Sequence, residues 1–232
     1  MQGAPGVMFM GGFASDMTGI KAMTLDRFCR KRGQGYLRFD YRGHGASEGE
    51  FRDGTIGAWL EDSLEVFDKL TAGPQILVGS SMGGWLMLLL AVRRSERIAG
   101  LVGIAAAPDF TEDIWQGFSK VQQDELMARG EVARPSAYSD NPYVITRALI
   151  EDGRRHFLLN GDIELTCPVR LLHGMADPDV SPAKSLRIAE KLRRSDAVVT
   201  LIKDGDHRMS RPQDLKRLCD AVAELSARRG DA

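Results

Sequence analysis

Residues 77–85 read LVGSSMGGW, two serines between glycines at the end of an apolar run. The run, Gln75–Gly79, has the length of a buried strand, and Met82–Arg93 continues as an apolar helical pattern. The spacing Gly79-x-Ser81-x-Gly83 therefore falls where a strand turns sharply into a helix. The central residue of so tight a turn carries a strained backbone. The residues two positions to either side must be small, which glycine satisfies. Ser81 is expected to stand in the open at the strand's end, while Ser80 points into the body. The helix that starts at Met82 aims its first amides toward negative charge that develops beside Ser81.

The same alternation runs outward from this turn. Strand-like runs occur at 6–10, 36–40, 101–105, 169–173 and 198–203, and helix-like stretches at 20–31, 56–70, 182–193 and 212–228. Within 56–70, Trp59, Leu60, Leu64, Phe67 and Leu70 recur at helical spacing. Strands apolar on both faces, alternating with helices, predict an α/β protein: a mostly parallel, twisted sheet with helices on both sides. Such sheets bind ligands beyond the carboxyl ends of their strands. Residues 111–168 break the rhythm, with helical pieces, no good strand, and more length than a simple connection needs. They are expected to form a small helical cap inserted into a core of residues 1–110 and 169–232. Trp115, Phe118, Tyr138, Tyr143 and Phe157 are its candidate pocket-lining aromatics, although packing of the cap on the body would use the same side chains.

Composition removes several function classes. The 232 residues carry 31 basic and 32 acidic side chains, a net charge of −1. Such balance gives no electrostatic footprint for nucleic acid or an anionic membrane. The basic pairs Arg193-Arg194 and Arg228-Arg229 read as solvated helix ends. Cys29, Cys167 and Cys219 are far apart and odd in number, so neither a disulfide framework nor a metal site is expected. Free thiols fit a reducing cytoplasm. The first residues, MQGAPGVMFMGG, lack the basic start and long apolar stretch of a signal peptide. The longest apolar run, 85–92, is too short to span a bilayer.

A serine hydroxyl becomes a nucleophile only with a base beside it and a group that orients the base. Of the four histidines, His207 lies just after the last strand, at the sheet end where Ser81 must also be. His44, in the turn DYRGHGASEG, reads as turn chemistry, as do its neighbours Asp40 and Arg42. His156 falls in the cap, and His173 ends a strand, where backbone hydrogen bonding is the ordinary use. Asp177 follows that strand by a short loop and is the candidate acid, with Asp179 its competitor. Asp206 adjoins His207, but a side chain rarely reaches the Nδ1 of the next residue. The order Ser81, Asp177, His207 has a known counterpart among catalytic triads. An oxyanion would need two backbone donors: Met82, and Phe13 in the Gly11-Gly12 loop after the first strand.

GPQILVGSSMGGWLML, YLRFDYRGHGASEG, VRLLHGMADPDVSP and DGDHRMSRP together resemble serine hydrolases of the α/β-hydrolase superfamily. More closely, they are similar to the family of α/β-hydrolase domain-containing protein ten, and MTGIKAMTLDRFCRKRG extends the likeness over nearly the whole chain. The resemblance implies an α/β-hydrolase fold with no cofactor, and palmitoyl-protein thioesterase or acyl-glucuronide esterase activity. It also puts nucleophile, acid and base on Ser81, Asp177 and His207. Family members usually carry two more strands before the VMFMGG strand, and their absence would leave the strand at 36–40 as an exposed edge. A tendency to form a homodimer, or to aggregate, through that edge is expected. Animal members are mitochondrial, an address that the composition of the first residues does not suggest.

The function expected is hydrolysis of carboxylic esters or thioesters, as small-molecule substrates of any acyl-chain length, through an acyl-enzyme on Ser81. Alternatives are other chemistry of the same fold (amidase, perhydrolase or carbon–carbon hydrolase) and a slow-turnover binding protein.

Overall fold

A computed structural model describes residues 4–135 and 142–227. Its strands, in chain order, are β1 (Gly6–Met10), β2 (Tyr36–Arg38), β3 (Gln75–Ser80), β4 (Ile98–Ile104), β5 (Glu131–Arg134), β6 (Tyr143–Thr146), β7 (Val169–Gly174) and β8 (Ala197–Ile202). The helices are α1 (Ile20–Lys31), α2 (Ile56–Leu70), α3 (Met82–Arg93), α4 (Phe110–Gly117), α5 (Lys120–Arg129), α6 (Arg147–Gly153), α7 (Ala183–Lys191) and α8 (Pro212–Ala227).

Six strands form one sheet in the order β2-β1-β3-β4-β7-β8. Every pairing in it is parallel. Alternation along each strand assigns its residues to two cores. Val7, Phe9, Ile76, Val78, Val102 and Ile104 pack on one face, with Leu25 of α1 and Val222 of α8. Met8, Met10, Leu77 and Leu101 pack on the other, with Trp59 of α2 and Trp85 of α3. Strands apolar on both sides are stable only when both faces are covered, which is why they alternate with helices. Helix α3 is apolar all round, and every residue from Met82 to Ala91 is buried.

The strand order decides where a site can form. The chain leaves β1 toward β2 on one side and leaves β3 toward β4 on the other. The loops after β1 and β3 therefore diverge and open a crevice at the carboxyl ends of adjacent strands. The glycine-rich loop and the Gly-x-Ser-x-Gly turn lie on its two sides.

Three expectations need correction. The strand predicted over 36–40 stops at Arg38, because Asp40 turns its carboxylate onto the Met17 and Ala46 amides instead of continuing the ladder. The strand predicted from 101 begins at Ile98, with a register irregularity opposite Gln75 and Ile76. The segment between β4 and β7 is not purely helical: β5 and β6 form an antiparallel ladder from Glu131 opposite Thr146 to Arg134 opposite Tyr143. Four residues per strand are too few for alternation to register, and Val132, Ile145 and Thr146 are the buried ones. Among the described residues no strand precedes β1, and β2 and β8 are the sheet's outer strands.

Candidate active site

Ser81 links β3 to α3 with φ 54° and ψ −119°, a left-handed backbone that a residue with a side chain adopts only under constraint. The constraint is close packing. A Cβ on Gly79 would fall 2.4 Å from the Gly83 carbonyl oxygen, and one on Gly83 would fall 2.2 Å from that of Met10. Any side chain at either position would force the helix off the sheet. The Ser81 amide donates to the Ile104 carbonyl at 2.9 Å, and its carbonyl accepts from Ala107 at 3.0 Å. The turn is thus pinned to the adjacent strand's end. Ser80 is buried as expected, yet it also contributes to the wall of the cavity beside Ser81.

The loops after β7 and β8 bring two further side chains to this point. His207 Nε2 lies 3.1 Å from Ser81 Oγ, and His207 Nδ1 lies 2.8 Å from Asp177 Oδ2. A carboxylate can only accept, so Nδ1 carries the proton and Nε2 is left to accept from the serine hydroxyl. The three side chains predicted from sequence are brought together in that order. Asp179 does not take the place of Asp177: its amide donates to Asp177 Oδ1 at 2.8 Å, alongside the Val180 amide at 2.9 Å. Asp206 faces its own turn and accepts from the Met209 amide.

Asp177 is held well below the usual carboxylate range. Burial alone would raise it; hydrogen bonds from His173, His207 and the Val180 amide outweigh that burial. His173 was expected to bond backbone, and its Nε2 does lie 3.0 Å from the Val180 carbonyl. It also lies 3.2 Å from Asp177 Oδ2, a contact with no sequence signal. Asp177, Asp179 and His207 converge closely enough to ligate an ion. Asp177 Oδ2 and His207 Nδ1 are already bonded to each other, however, and Asp177 Oδ1 takes two amides. That donor pattern fits a proton relay better than a cation.

Across the crevice runs the loop after β1. A Cβ on Gly12 would sit 3.4 Å from the Ser81 Cβ, so this backbone lies directly against the turn. Its amides are distinct in use. Ala14 donates to His44 Nε2 at 3.2 Å, and Ser15 donates to the Gly12 carbonyl at 3.2 Å. Met82 opens α3, so its amide has no acceptor within the helix.

A cavity of about 600 Å³ meets Ser81, His207, Phe13 and Met82. Its apolar wall includes Phe110, Ile114, Phe118, Tyr143 and Ile145 from the segment between β4 and β7. Of the candidate aromatics, Phe118 and Tyr143 lie on this wall, together with Phe110, Ile114 and Ile145, which the sequence did not single out. Trp115 is not on it. Ile114 and Phe118, four apart on and just beyond α4, face the cavity, which turns Trp115 aside under the Arg154 guanidinium, 5.1 Å from its ring centroid. Phe157 packs into the core instead, and Tyr138 lies outside the described residues. His156 sits near Asp152, 3.5 Å away, and is not on this wall. Lys21 also lines the cavity, its pKa lowered to about 8 by burial and by nearby Arg208.

Known proteins share this fold. Residues 11–221 match the alpha/beta hydrolase family. Mouse mitochondrial palmitoyl-protein thioesterase ABHD10 is 41% identical over 222 residues, covering 95% of this chain and 75% of that protein. The crystal structure of a putative hydrolase from Agrobacterium vitis S4 is 46% identical, with a TM-score of 0.93 over 96% of this chain and 88% of the other. Mouse alpha/beta hydrolase domain-containing protein 10 superposes with a TM-score of 0.89 at 41% identity, over 95% of this chain and 89% of its own. Among the described residues no helix is long and apolar enough to cross a membrane. The chain belongs to the α/β-hydrolase family, with α/β-hydrolase domain-containing protein 10 among its relatives.

Proposed function

We propose that this chain is a serine hydrolase that cleaves carboxylic esters or thioesters through an acyl-enzyme on Ser81. The observation that carries the reading is the relay from Ser81 Oγ to His207 Nε2 and from His207 Nδ1 to Asp177, built on a left-handed Ser81. In the first step His207 takes the Ser81 proton as Oγ attacks the carbonyl. The Phe13 and Met82 amides receive the oxyanion. The leaving alcohol takes the proton from His207, whereas a thiolate departs without it and His207 then gives its proton to solvent. Water, deprotonated by His207, then attacks the acyl-enzyme, and His207 returns that proton to Ser81 Oγ as the carboxylic acid leaves. Asp177 fixes the imidazole tautomer and supports its cation throughout. No step calls on a metal or cofactor.

Residues 111–168 act as the cap in this reading, their apolar wall taking the acyl group while the side of the cavity at Lys21 takes the leaving group. The relatives named as palmitoyl-protein thioesterases support a fatty acyl thioester as substrate. A volume of about 600 Å³ is ordinary for a small-molecule site. A cytoplasmic location is part of the same proposal and is supported by the free thiols of Cys29, Cys167 and Cys219. So is a homodimer through β2, which among the described residues pairs only with β1; sedimentation as a monomer at high concentration would exclude it.

The deciding experiment measures p-nitrophenyl ester hydrolysis from acetyl to palmitoyl by the wild type and Ser81→Ala. A fluorophosphonate label, located by mass spectrometry, accompanies it. Turnover lost in the variant, with label on Ser81, supports the mechanism. No turnover and no label at any chain length sinks it and favours a binding protein. Release of amines from anilides would favour an amidase.

A further inference from the structure

The loop that faces Ser81 is held by a histidine outside the relay. His44 is 3% exposed in the turn after β2, and its ring packs edge-on against Tyr41, Phe51 and Trp59 at centroid distances of 5.4, 5.0 and 5.1 Å. Its Nε2 is 3.2 Å from the Ala14 amide and its Nδ1 is 3.4 Å from the Arg42 carbonyl. An amide only donates and a carbonyl only accepts, so Nε2 is the bare nitrogen and Nδ1 carries hydrogen. The imidazole is thereby neutral, which its burial also favours.

Ala14 has φ 53°, a left-handed conformation costly for a residue with a side chain. Something must stabilise it, and the bond to His44 is the one contact that acts on its own amide. Two further ties fix the same loop: Tyr41 Oη donates to the Gly11 carbonyl at 3.2 Å, and the Asp40 carboxylate accepts from Met17 at 2.6 Å. With the Ala14 amide drawn toward His44 and the Ser15 amide turned onto Gly12, the Phe13 amide is the one beside Ser81 that these bonds leave for a substrate oxygen.

We propose that His44 is a positioning residue: by accepting from the Ala14 amide it sets the left-handed turn that aims the Phe13 N–H at the oxyanion. The proposal rests on the reading of Ser81 as nucleophile. It assigns to the Gly-His-Gly turn a part in transition-state stabilisation rather than in folding alone. An amide misplaced by a fraction of its bond length still permits substrate binding but stabilises the oxyanion poorly.

The test has an arm that needs no variant. Nitrogen-15 spectra of histidine-labelled wild-type protein at pH 7 should show His44 neutral, with hydrogen on Nδ1. An Nε2–H tautomer or an imidazolium would overturn the proposal. The second arm compares His44→Leu, which removes the acceptor, with His44→Gln, which retains one. On p-nitrophenyl butyrate the leucine variant should lose about 10- to 100-fold in kcat with little change in KM. Its rate of fluorophosphonate labelling should fall in step, and the glutamine variant should recover most of both. A folded leucine variant with wild-type kcat, or a glutamine variant as poor as leucine, would overturn it while Ser81 labelling of the wild type still stood. A wild type that neither hydrolyses nor labels takes the serine-hydrolase reading down first, and this proposal with it.

Discussion

His173 stands behind Asp177, its Nε2 3.2 Å from the carboxylate Oδ2 that His207 also uses. The same Nε2–H is shared with the Val180 carbonyl at 3.0 Å, and Nδ1 accepts from Ser185 Oγ at 2.7 Å. Asp177 is therefore held by two imidazoles and two amides, and it cannot rotate without breaking several bonds at once. Replacing His173 by Phe should lower stability by about 1–3 kcal/mol, because the Ser185 hydroxyl and the Val180 carbonyl are left buried and unpaired. It should also lower kcat by about tenfold, through looser positioning of the His207 orienter. Thermal melts and ester kinetics on the same preparation check both. Unchanged kcat in a destabilised protein would confine His173 to folding.

The depressed Asp177 carboxyl has a consequence for acid stability. Its folded value lies below its unfolded value, so the unfolded chain binds the proton more readily. The stability it contributes is fully present above the unfolded value, about 4, and is lost as pH falls below that toward the folded value. Urea midpoints of the wild type should therefore drop between about pH 5 and pH 2.5. Asp177→Asn, which cannot titrate, should show a shallower drop over the same window. Parallel curves would mean that other carboxylates carry the acid transition.

The elbow glycines separate close approach from mere flexibility. Gly79→Ala and Gly83→Ala each place a methyl within 2.4 Å of a backbone oxygen. Each should cost about 3 kcal/mol or yield no folded protein. Gly117, the last residue of α4, has nothing within 4 Å of where its Cβ would be. Gly117→Ala should be neutral or stabilise by about 0.5 kcal/mol. Equal tolerance at all three positions, read from expression and thermal midpoint, would contradict the packing described for the turn.

The sheet and its main helices were legible because their signal is repeated. Val7 to Met10 and Ile76 to Val78 are apolar on both faces, which only a covered parallel strand requires. The Ser81 turn was legible because steric demand writes itself into glycine spacing. The candidate base and acid followed from which loops lie at the carboxyl end of the sheet. What escaped was decided by how loops fold back and by contacts far apart in sequence. His173 meets Asp177 only because the loop after β7 folds back on itself, and His44 meets Ala14 across thirty positions. Trp115 looked like a pocket residue because an isolated aromatic carries no record of which helix face is buried. The β5–β6 ladder was hidden by its length, four residues on each side.

The apolar wall makes a claim about substrate that a single side chain can test. Ile114 is half-buried on α4 and lines the cavity one turn before Phe118. Being only half-buried, it can accept a larger ring without overpacking the core. Ile114→Trp would fill part of the roughly 600 Å³ available. If the acyl chain lies along this wall, kcat/KM should fall about tenfold for octanoyl and longer p-nitrophenyl esters, while the acetyl ester is hydrolysed nearly as before. Phe118→Ala should do the reverse, widening the slot and moving the optimum toward longer chains. The ratio of long- to short-chain kcat/KM cancels any change in the amount of active enzyme, so it reads the wall rather than the fold. If both variants keep the wild-type chain-length profile, the acyl group occupies the Lys21 side of the cavity. The leaving group would then be the part that meets Ile114 and Phe118.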